Sequence, residues 1–280
     1  MKVGFHMSIH GSVDMAADRA KELRCNTFQI FTRSPRQWYT SKIPPETAEA
    51  FASKVKKFEI EPVFAHMPYL PNLASPRDEV YEKSVKTLTV ELERCSQLKI
   101  PYLVTHLGSH LGEGMEKGFT RLIGGINKAL KDAENEVMLL LENTAGTRNS
   151  MGSSLEDIQH IMENMSKPER VGICFDTSHA FAAGYDLRTE ETVEETIKKI
   201  EQVIGFEKLK LVHLNDSKGD FNCKKDRHEH IGLGKIGEEG FRSILTSKLG
   251  KLPMVMETPI DIRRTNVGNL EKVKELAVGL

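Results

Sequence analysis

The residues with the clearest chemical potential are Asp, Glu and His side chains that recur 34 to 44 residues apart. Each of them ends a short apolar run, as in MLLLE at residues 138–142 and MVME at residues 254–257. A charged side chain at the edge of an apolar core is costly unless it is paired or binds a metal. The six residues are His66, His106, Glu142, Asp176, His213 and Glu257.

Two local motifs add further candidate ligands. In FDTSH, Asp176 and His179 are three residues apart, so both face one site if the chain turns helically there. In KKDRHEH, Asp226 and His228 alternate, so both point to one side of an extended segment. The resulting nine nitrogen and oxygen ligands, without thiolate, suit zinc, manganese or iron. Nine ligands are too many for one ion, so they predict two or three ions that share a bridging carboxylate.

The elements that must position these ligands form a regular series. Eight short apolar runs alternate with amphipathic segments, which predicts a closed parallel (β/α)₈ TIM barrel. In such a barrel the strand C-termini converge on the face that holds the active site. The predicted strands are residues 2–6, 27–32, 62–66, 102–106, 137–142, 171–176, 209–213 and 254–257. The predicted helices are residues 12–23, 45–57, 80–98, 118–133, 154–164, 193–204, 239–245 and 270–280.

An open, doubly wound sheet is the alternative fold. Such a sheet usually has fewer strands and carries a Gly-rich GxGxxG turn after its first strand. Here the first run continues as HMSIHG, which lacks that pattern. The chain length of 280 residues suits one large domain or two small ones, and the barrel favours a single domain covering residues 1–280.

Composition and charge limit the possible partners. The four cysteines are scattered without a CxxC pair, which is typical of reduced thiols in a cytosolic protein. No targeting segment or membrane span is visible, so we expect a cytoplasmic monomer. A formal net charge of −1 argues against nonspecific coating of DNA. Four carboxylates facing three divalent ions would leave about +2 at the site and bring the loaded chain to about +5.

Motifs along nearly the whole chain resemble those of endonuclease IV, the abasic-site endonuclease family. The most specific are CFDTSH at residues 174–179 and DRHEHIGLG at residues 226–234. The others are FTRSPRQW (31–38), HMPYLPNLAS (66–75), THLGSH (105–110), LENTAG (141–146), HLNDSK (213–218) and METP (256–259). A matching position exists for every one of the family's nine zinc ligands.

The resemblance implies three Zn²⁺ per chain and a phosphodiester substrate. One zinc would take His66, His106 and Glu142. A second would share Glu142, which is thereby the catalytic bridging residue, and add Asp176, His213 and Glu257. A third would take His179, Asp226 and His228. The implied reaction cuts double-stranded DNA on the 5′ side of an abasic site, leaving a 3′-hydroxyl and a 5′-deoxyribose phosphate, and trims blocked 3′ ends.

Three further residues match the family's DNA contacts. Arg36, Tyr69 and Leu70 correspond to side chains that enter the duplex at the lesion. Arginine, aromatic and aliphatic side chains replace lost stacking when a nucleotide is flipped out of the helix.

Two other functions remain open at this level. A sugar isomerase or epimerase on a related metal-binding barrel would need Glu142, Asp176, His213 and Glu257. It would need only one or two ions, and hence not the whole of the remaining set, His66, His106, His179, Asp226 and His228. A metal-dependent binding protein for damaged DNA would bind abasic duplexes without cutting them.

Overall fold

A computed structural model describes residues 1–278 and has eight parallel strands closed into a barrel. Around the barrel the strand order is β1-β10-β7-β6-β5-β4-β3-β2, so each strand pairs with its neighbours in the barrel series. The barrel strands are β1 (Val3–Met7), β2 (Phe28–Phe31), β3 (Val63–His66), β4 (Tyr102–His106), β5 (Met138–Glu142), β6 (Val171–Asp176), β7 (Leu209–His213) and β10 (Met254–Met256). The predicted TIM barrel is confirmed.

Helices fill the intervals between strands and cover the outside of the barrel. They are α1 (Met15–Glu22), α2 (Pro45–Lys57), α3 (Asp78–Gln97), α4 (Met115–Asp132), α5 (Leu155–Glu163), α6 (Thr177–Ala183), α7 (Glu190–Val203), α8 (Gly237–Thr246) and α9 (Asn266–Leu276). Short 3₁₀ turns at Pro168–Arg170, Phe206–Lys208 and Leu249–Lys251 precede β6, β7 and β10. None of the helices within residues 1–278 has both the length and the apolar character needed to cross a bilayer.

Local sequence signals explain where several helices start and stop. The Ser154 side chain accepts a hydrogen bond from the Asp157 amide and caps α5. Thr189 and Thr192 form a reciprocal capping box at the start of α7. Gly184 ends α6 in the left-handed region, with φ of 109°, which a residue with a Cβ rarely adopts.

The strands carry an apolar floor directly beneath the candidate ligands. Side chains two residues apart on a strand point to the same face, here the barrel interior. Each of the six strand-end ligands therefore lies above an interior side chain two residues earlier. Those six side chains form one buried cluster: Phe64, Val104, Leu140, Cys174, Leu211 and Val255. The barrel is thus filled below and polar only at its C-terminal end.

The long connection after β7 is a folded unit, with a two-stranded ribbon of β8 (Asp216–Ser217) and β9 (His228–Glu229). The buried Asp216 carboxylate accepts hydrogen bonds from the amides of Gly232, Gly234 and Ile236 at 2.9 to 3.0 Å. A Cβ on Gly234 would lie 2.4 Å from the Ser217 carbonyl oxygen, so this approach requires glycine. The ribbon and these bonds hold the segment that presents Asp226 and His228.

Small differences separate the predicted elements from the observed ones. β10 ends at Met256, so Glu257 follows the strand instead of ending it. The helix predicted at residues 270–280 begins earlier, at Asn266, and ends at Leu276. Residues 279 and 280 of that prediction lie outside the described residues.

Candidate metal centre

The candidate ligands converge at the C-terminal ends of the strands. Strand register sets His106 beside Glu142 and Asp176 beside His213. Within residues 1–278, three groups made only of the predicted His, Asp and Glu ligands have one ligand atom per residue with all atoms of the group within 4.8 Å of one another. These groups are His66–His106–Glu142, Glu142–Asp176–His213–Glu257 and Asp176–His179–His228.

The fully buried Glu142 carboxylate lies between two sets of histidines. Its Oε2 is 3.1 Å from His66 Nε2 and 3.1 Å from His106 Nε2. Its Oε1 is 2.9 Å from His213 Nδ1. Because each oxygen faces a different histidine set, the carboxylate has the arrangement required of a bridge between two cations.

The histidines are oriented by contacts of their second ring nitrogen. Nδ1 of His66 donates to the Met67 carbonyl oxygen at 2.7 Å, and Nδ1 of His179 donates to the Asn143 carbonyl oxygen at 2.9 Å. Nδ1 of His228 lies 3.3 Å from the Glu257 carbonyl oxygen. A neutral ring that donates through Nδ1 presents an unprotonated Nε2, which is the form that binds metals. The outer contacts therefore aim lone pairs into the site.

Two candidate carboxylates face the histidines of the third group: Asp176, which belongs to it, and Asp226, which lies beside it. Asp226 Oδ1 is 3.1 Å from His179 Nε2 and 3.5 Å from His228 Nε2. Asp176 Oδ2 lies 3.7 Å from His228 Nε2, so Asp176 faces both this group and the one around His213. Asp226 is about half exposed, whereas Asp176 is fully buried. Asp226 therefore closes the third group from the solvent side.

The electrostatics of the site depend on the close packing of acids and imidazoles. Burial alone would raise the pKa of Glu142, but His106 and His213 outweigh it and hold that pKa well below its usual range. Burial likewise lowers the pKa of His179, but Asp176, Asp226 and Glu142 outweigh it and raise the pKa to about 10. The acid groups therefore demand positive charge close by, which protons or cations can supply.

A second, independent observation indicates that the ligand set suits a metal: two buried histidine nitrogens lack a hydrogen-bond partner among the described residues. The buried Nε2 atoms of His179 and His228 have no hydrogen-bond partner among the described residues. The 3.1 Å approach of Asp226 to His179 is a charge contact without hydrogen-bond alignment. Buried imidazole nitrogens without a partner are uncommon, and a coordinated cation satisfies both. Cys174 also lies near Glu142 and His213, but burial raises the pKa of its thiol to about 12, which disfavours the thiolate that binds metals.

Several polar residues support the ligands but carry no sequence signal of their own. Gln29 accepts from His213 Nε2 at 2.9 Å and donates to Glu257 Oε1 at 2.8 Å. Asn215 donates to Asp176 Oδ2 at 2.8 Å and accepts from the Glu257 amide at 2.8 Å. Both residues are fully buried. Side chains that hold ligands in this way tune metal affinity in many sites.

Of the three candidate DNA-contact residues, Tyr69 lines this site, Leu70 follows it in the chain and Arg36 lies on the neighbouring loop; together they are called the rim. Arg36 is exposed on the loop after β2, and Tyr69 and Leu70 follow β3 with exposed fractions of 61% and 37%. The Tyr69 amide donates to the Pro35 carbonyl oxygen at 3.1 Å, which joins the two loops. The Tyr69 ring also packs edge-on against Phe31, with centroids 5.1 Å apart.

Ligands and rim residues enclose a cavity of about 340 Å³, named the crater below. Its walls include the ligands His66, His106, His179, Asp226, His228 and Glu257 together with Phe31, Tyr69 and Ile260. His6, at the end of β1, also faces it, with Nδ1 3.3 Å from Glu257 Oε1. The crater therefore has charged and imidazole side chains at its base and apolar side chains around its mouth.

Known proteins are similar to this chain in both fold and sequence. The family model described as xylose isomerase-like TIM barrel matches residues 17–276. The protein named probable endonuclease 4 from Methanoculleus marisnigri is 55% identical over 277 residues, covering 98% of this chain and 98% of its own length. The crystal structure of endonuclease IV from Thermus thermophilus matches with a TM-score of 0.88 at 33% identity, covering 99% of this chain and 98% of that one.

A sugar-epimerase-like structure shares only the architecture. The D-tagatose 3-epimerase-like protein matches with a TM-score of 0.75 over 99% of this chain and 97% of that one, at 22% identity. Identity of that size indicates a common fold and no more. The two endonucleases match this chain in sequence over nearly its full length. The chain belongs to the endonuclease 4 family of xylose isomerase-like TIM barrels.

Proposed function

We propose that the chain is a zinc-dependent DNA-repair endonuclease that hydrolyses the phosphodiester on the 5′ side of an abasic site in duplex DNA. The products would be a 3′-hydroxyl and a 5′-deoxyribose phosphate, and the same site would trim blocked 3′ ends. Membership of the endonuclease 4 family already makes the chain a nuclease of DNA repair. The observation that carries the finer proposal is the buried Glu142 between two histidine sets, beneath a rim of exposed Arg36, Tyr69 and Leu70.

Three Zn²⁺ ions would be divided among the nine ligands, with Glu142 shared. The first would be held by His66, His106 and Glu142, and the third by His179, Asp226 and His228. The second would be held by Glu142, Asp176, His213 and Glu257. Zinc bound there would lower the pKa of a coordinated water and take up negative charge from the phosphate. The nitrogen and oxygen donors of the nine residues, and burial that disfavours the Cys174 thiolate, support zinc without a thiolate ligand.

The protein side chains would contribute position and shape. Gln29 and Asn215 hold the Glu257 and Asp176 ends of the ligand set, so the spacing of the cations would be fixed before substrate binds. A cavity of about 340 Å³ is at the small end for ligand sites, which suits a sugar phosphate that lacks its base.

Discrimination between abasic and intact DNA would come from the rim. Tyr69 and Leu70 are apolar surfaces beside the crater mouth, and Arg36 stands on the loop hydrogen-bonded to Tyr69. Such side chains fill the gap left when a nucleotide leaves the stack. An intact nucleotide would have to break its base pair as well, which adds to the energy of flipping.

The isomerase alternative explains less of the site. A one- or two-ion isomerase leaves no role for a third group, yet His179 and His228 present two unpartnered buried nitrogens among the described residues. Sequence identity over nearly the full length is 55% with a probable endonuclease 4 and only 22% with the epimerase-like structure. The remaining alternative is a protein that binds abasic DNA without cutting it.

A duplex with one abasic site tests the proposal and both alternatives. Purified protein is incubated with this duplex and with an undamaged duplex of the same sequence, with and without a chelator. We expect a single cut 5′ to the abasic site, none in the undamaged duplex, and recovery of a chelated sample on addition of Zn²⁺. Binding without a cut would favour the binding protein, and turnover of a ketose instead of DNA would favour the isomerase.

We further propose that residues 1–280 form a single domain that acts as a monomer on chromosomal DNA in the cytoplasm. The continuous closure of the barrel from β1 to β10 supports one folding unit. Sedimentation of the zinc-loaded protein should give the mass of one chain, 31.5 kDa, at both low and high salt. A dimer mass would contradict the monomer.

A further inference from the structure

The loop that carries Arg36 is long and exposed, and it is held in an unusual way. This β2–α2 loop comprises residues 32–44, between the end of β2 and the start of α2. Arg36 and Tyr39 are exposed on it, Tyr39 by 83%. Beneath its second half lies a cavity of about 990 Å³, lined in part by Trp38, Ile43 and Val90. Apolar packing alone therefore does not fix this loop against the barrel.

A buried charged cluster lies under the first half of the loop, consisting of Thr32, Arg33, Glu91 and Arg94. Glu91 and Arg94 are on α3, and all four residues are buried. Thr32 Oγ1 donates to Glu91 Oε2 at 2.6 Å and accepts from Arg94 Nε at 2.8 Å. Arg33 Nε lies 2.8 Å from Glu91 Oε1 as an ion pair without aligned hydrogen-bond geometry. The Thr32 hydroxyl is thus the link between the acid and Arg94.

From this cluster and the helix turn beside it, three side chains reach the backbone of the loop. Arg33 Nη1 donates to the Trp38 carbonyl oxygen at 3.0 Å, and Arg94 Nη1 donates to the Ser41 carbonyl oxygen at 2.8 Å. Gln97, one turn further along α3, donates to the Ile43 carbonyl oxygen at 2.8 Å. The other side of the loop is tied to Tyr69 through the Pro35 carbonyl oxygen. Arg36 therefore stands between fixed points on both sides.

The composition of the cluster argues for a positioning role. Burying one carboxylate with two guanidinium groups carries a large desolvation penalty, and apolar residues would stabilise the barrel as well or better. Charged donors instead give directional bonds to particular carbonyl groups. Those bonds end on the loop backbone, at the carbonyl groups of Thr32, Trp38 and Ser41. The cluster thus acts on the geometry of the loop.

We propose that Thr32, Arg33, Glu91 and Arg94 are positioning residues that preorganise the β2–α2 loop so that Arg36 and Tyr69 meet damaged DNA already in place. The inference rests on the proposed function, because it takes Arg36 and Tyr69 as DNA contacts. A loop that must be ordered on binding weakens affinity without altering the metal centre. Loss of the cluster should therefore raise KM for abasic duplex and leave kcat nearly unchanged.

The test compares Thr32→Val with Thr32→Ser. Valine keeps the shape but removes the hydroxyl that joins Glu91 to Arg94, whereas serine keeps the hydroxyl. Trp38 is the one tryptophan of the chain and lies on the loop, so its fluorescence reports on loop order directly. For Thr32→Val we expect lower Trp38 anisotropy, stronger iodide quenching, KM raised about 3- to 10-fold, kcat within about twofold and unchanged zinc content. Thr32→Ser should resemble the wild type in every measurement.

Two further variants keep the test decisive if Thr32→Val folds poorly. Gln97→Ala removes one loop contact from the exposed side of α3 and leaves the buried cluster intact, so it should raise KM about twofold. Glu82→Gln, exposed on the same helix, outside the lining of the cavity and without an ion pair among the described residues, is the control and should change nothing.

Each result points one way. An unchanged KM for both Thr32→Val and Gln97→Ala, or a fall in kcat with zinc loss, would overturn the positioning role while leaving the proposed function standing. Failure of the wild-type protein itself to cut the abasic duplex would overturn the proposed function and this inference together. A raised KM with disordered Trp38 and normal kcat supports it.

Discussion

The nine candidate ligands and the three rim residues occupy the same end of the barrel, but they differ in burial and in attachment. Six of the ligands stand at or directly after strand ends above an apolar floor, and most are buried. Arg36, Tyr69 and Leu70 are exposed on loops that touch each other through one backbone hydrogen bond. The crater is thus part of the folded core, whereas the rim is supported from outside it.

Because of this difference, we expect substitutions of ligands and substitutions of rim residues to have different effects. A changed ligand leaves buried carboxylates or imidazoles without a partner, and the loss is spread over the connected metal groups through Glu142. A changed rim residue leaves the ligands in place and removes only its own contact with substrate. A single ligand substitution should therefore reduce catalysis strongly, whereas a single rim substitution should reduce DNA recognition only in part.

Removal of metal should have the largest effect. Chelation should abolish cutting and lower the melting temperature, because four carboxylates at the site lose their compensating charge. The stabilisation by zinc should be on the order of 4 kcal/mol where free zinc exceeds Kd by a thousandfold. Elemental analysis of the untreated protein should give close to three zincs per chain. A single tight ion would contradict the assignment and favour the isomerase.

Glu142→Gln should come next. The amide keeps the shape of the side chain but removes the charge that faces both histidine sets, so we expect kcat to fall by at least about 10²-fold with the fold retained. Steady-state cutting of the abasic duplex and circular dichroism measure the two quantities. Glu163→Gln, an equal charge change on the exposed face of α5, is the control. Near-normal turnover with full zinc would remove Glu142 from the bridge.

Gln29→Leu tests whether the buried residues that hold the ligands, such as Gln29, contribute to zinc affinity as the ligands themselves do. Gln29 orients His213 and Glu257 together, so its loss should weaken zinc binding about 10- to 100-fold. The measurement is competition with a zinc chelator of known affinity, and excess zinc should recover much of the activity. The same substitution at the exposed Gln202 should leave the competition curve unchanged. An unaltered curve for Gln29→Leu would show that the ligands orient themselves.

The candidate ligands can be picked out from the sequence because two simple periodicities carry them. Strand alternation places an apolar residue two positions before each of His66, His106 and Glu142, so the ends of the runs are visible in the sequence. The barrel then brings those ends together by topology alone. Gln29 could not be found in this way, because its role depends on His213, 184 residues further along the chain.

Other features were hidden for related reasons. α6 has only seven residues, and nearly all of them are buried, so it shows no amphipathic pattern beyond the helical turn inferred from FDTSH. The charged cluster around Glu91 resembles an ordinary solvated helix face in sequence, yet it is buried beneath a loop. Contacts between distant elements, and not local pattern, decide both cases.

The rim should give the smallest effect. Tyr69→Ala with Leu70→Ala removes two exposed side chains next to the crater and no ligand, so zinc content and fold should be retained. Discrimination of abasic from intact duplex should fall by roughly 1–3 kcal/mol, the usual worth of stacking-type contacts. Paired binding titrations on the two duplexes at fixed salt measure this loss of discrimination. The salt is fixed because phosphate contacts weaken as salt rises, whereas the stacking contacts of Tyr69 and Leu70 do not.

The matched control for the rim is Leu111→Ala, another exposed apolar residue, on the loop after β4. It should leave discrimination unchanged if the effect belongs to the Tyr69–Leu70 position and not to apolar surface in general. An equal loss of affinity for both duplexes would mean that the pair contributes nonspecific contact only. Zinc loss in the double variant would mean that Tyr69, through its contact with Phe31, supports the crater. In that case the rim would contribute to metal binding as well as to DNA recognition, and the two regions would not be independent.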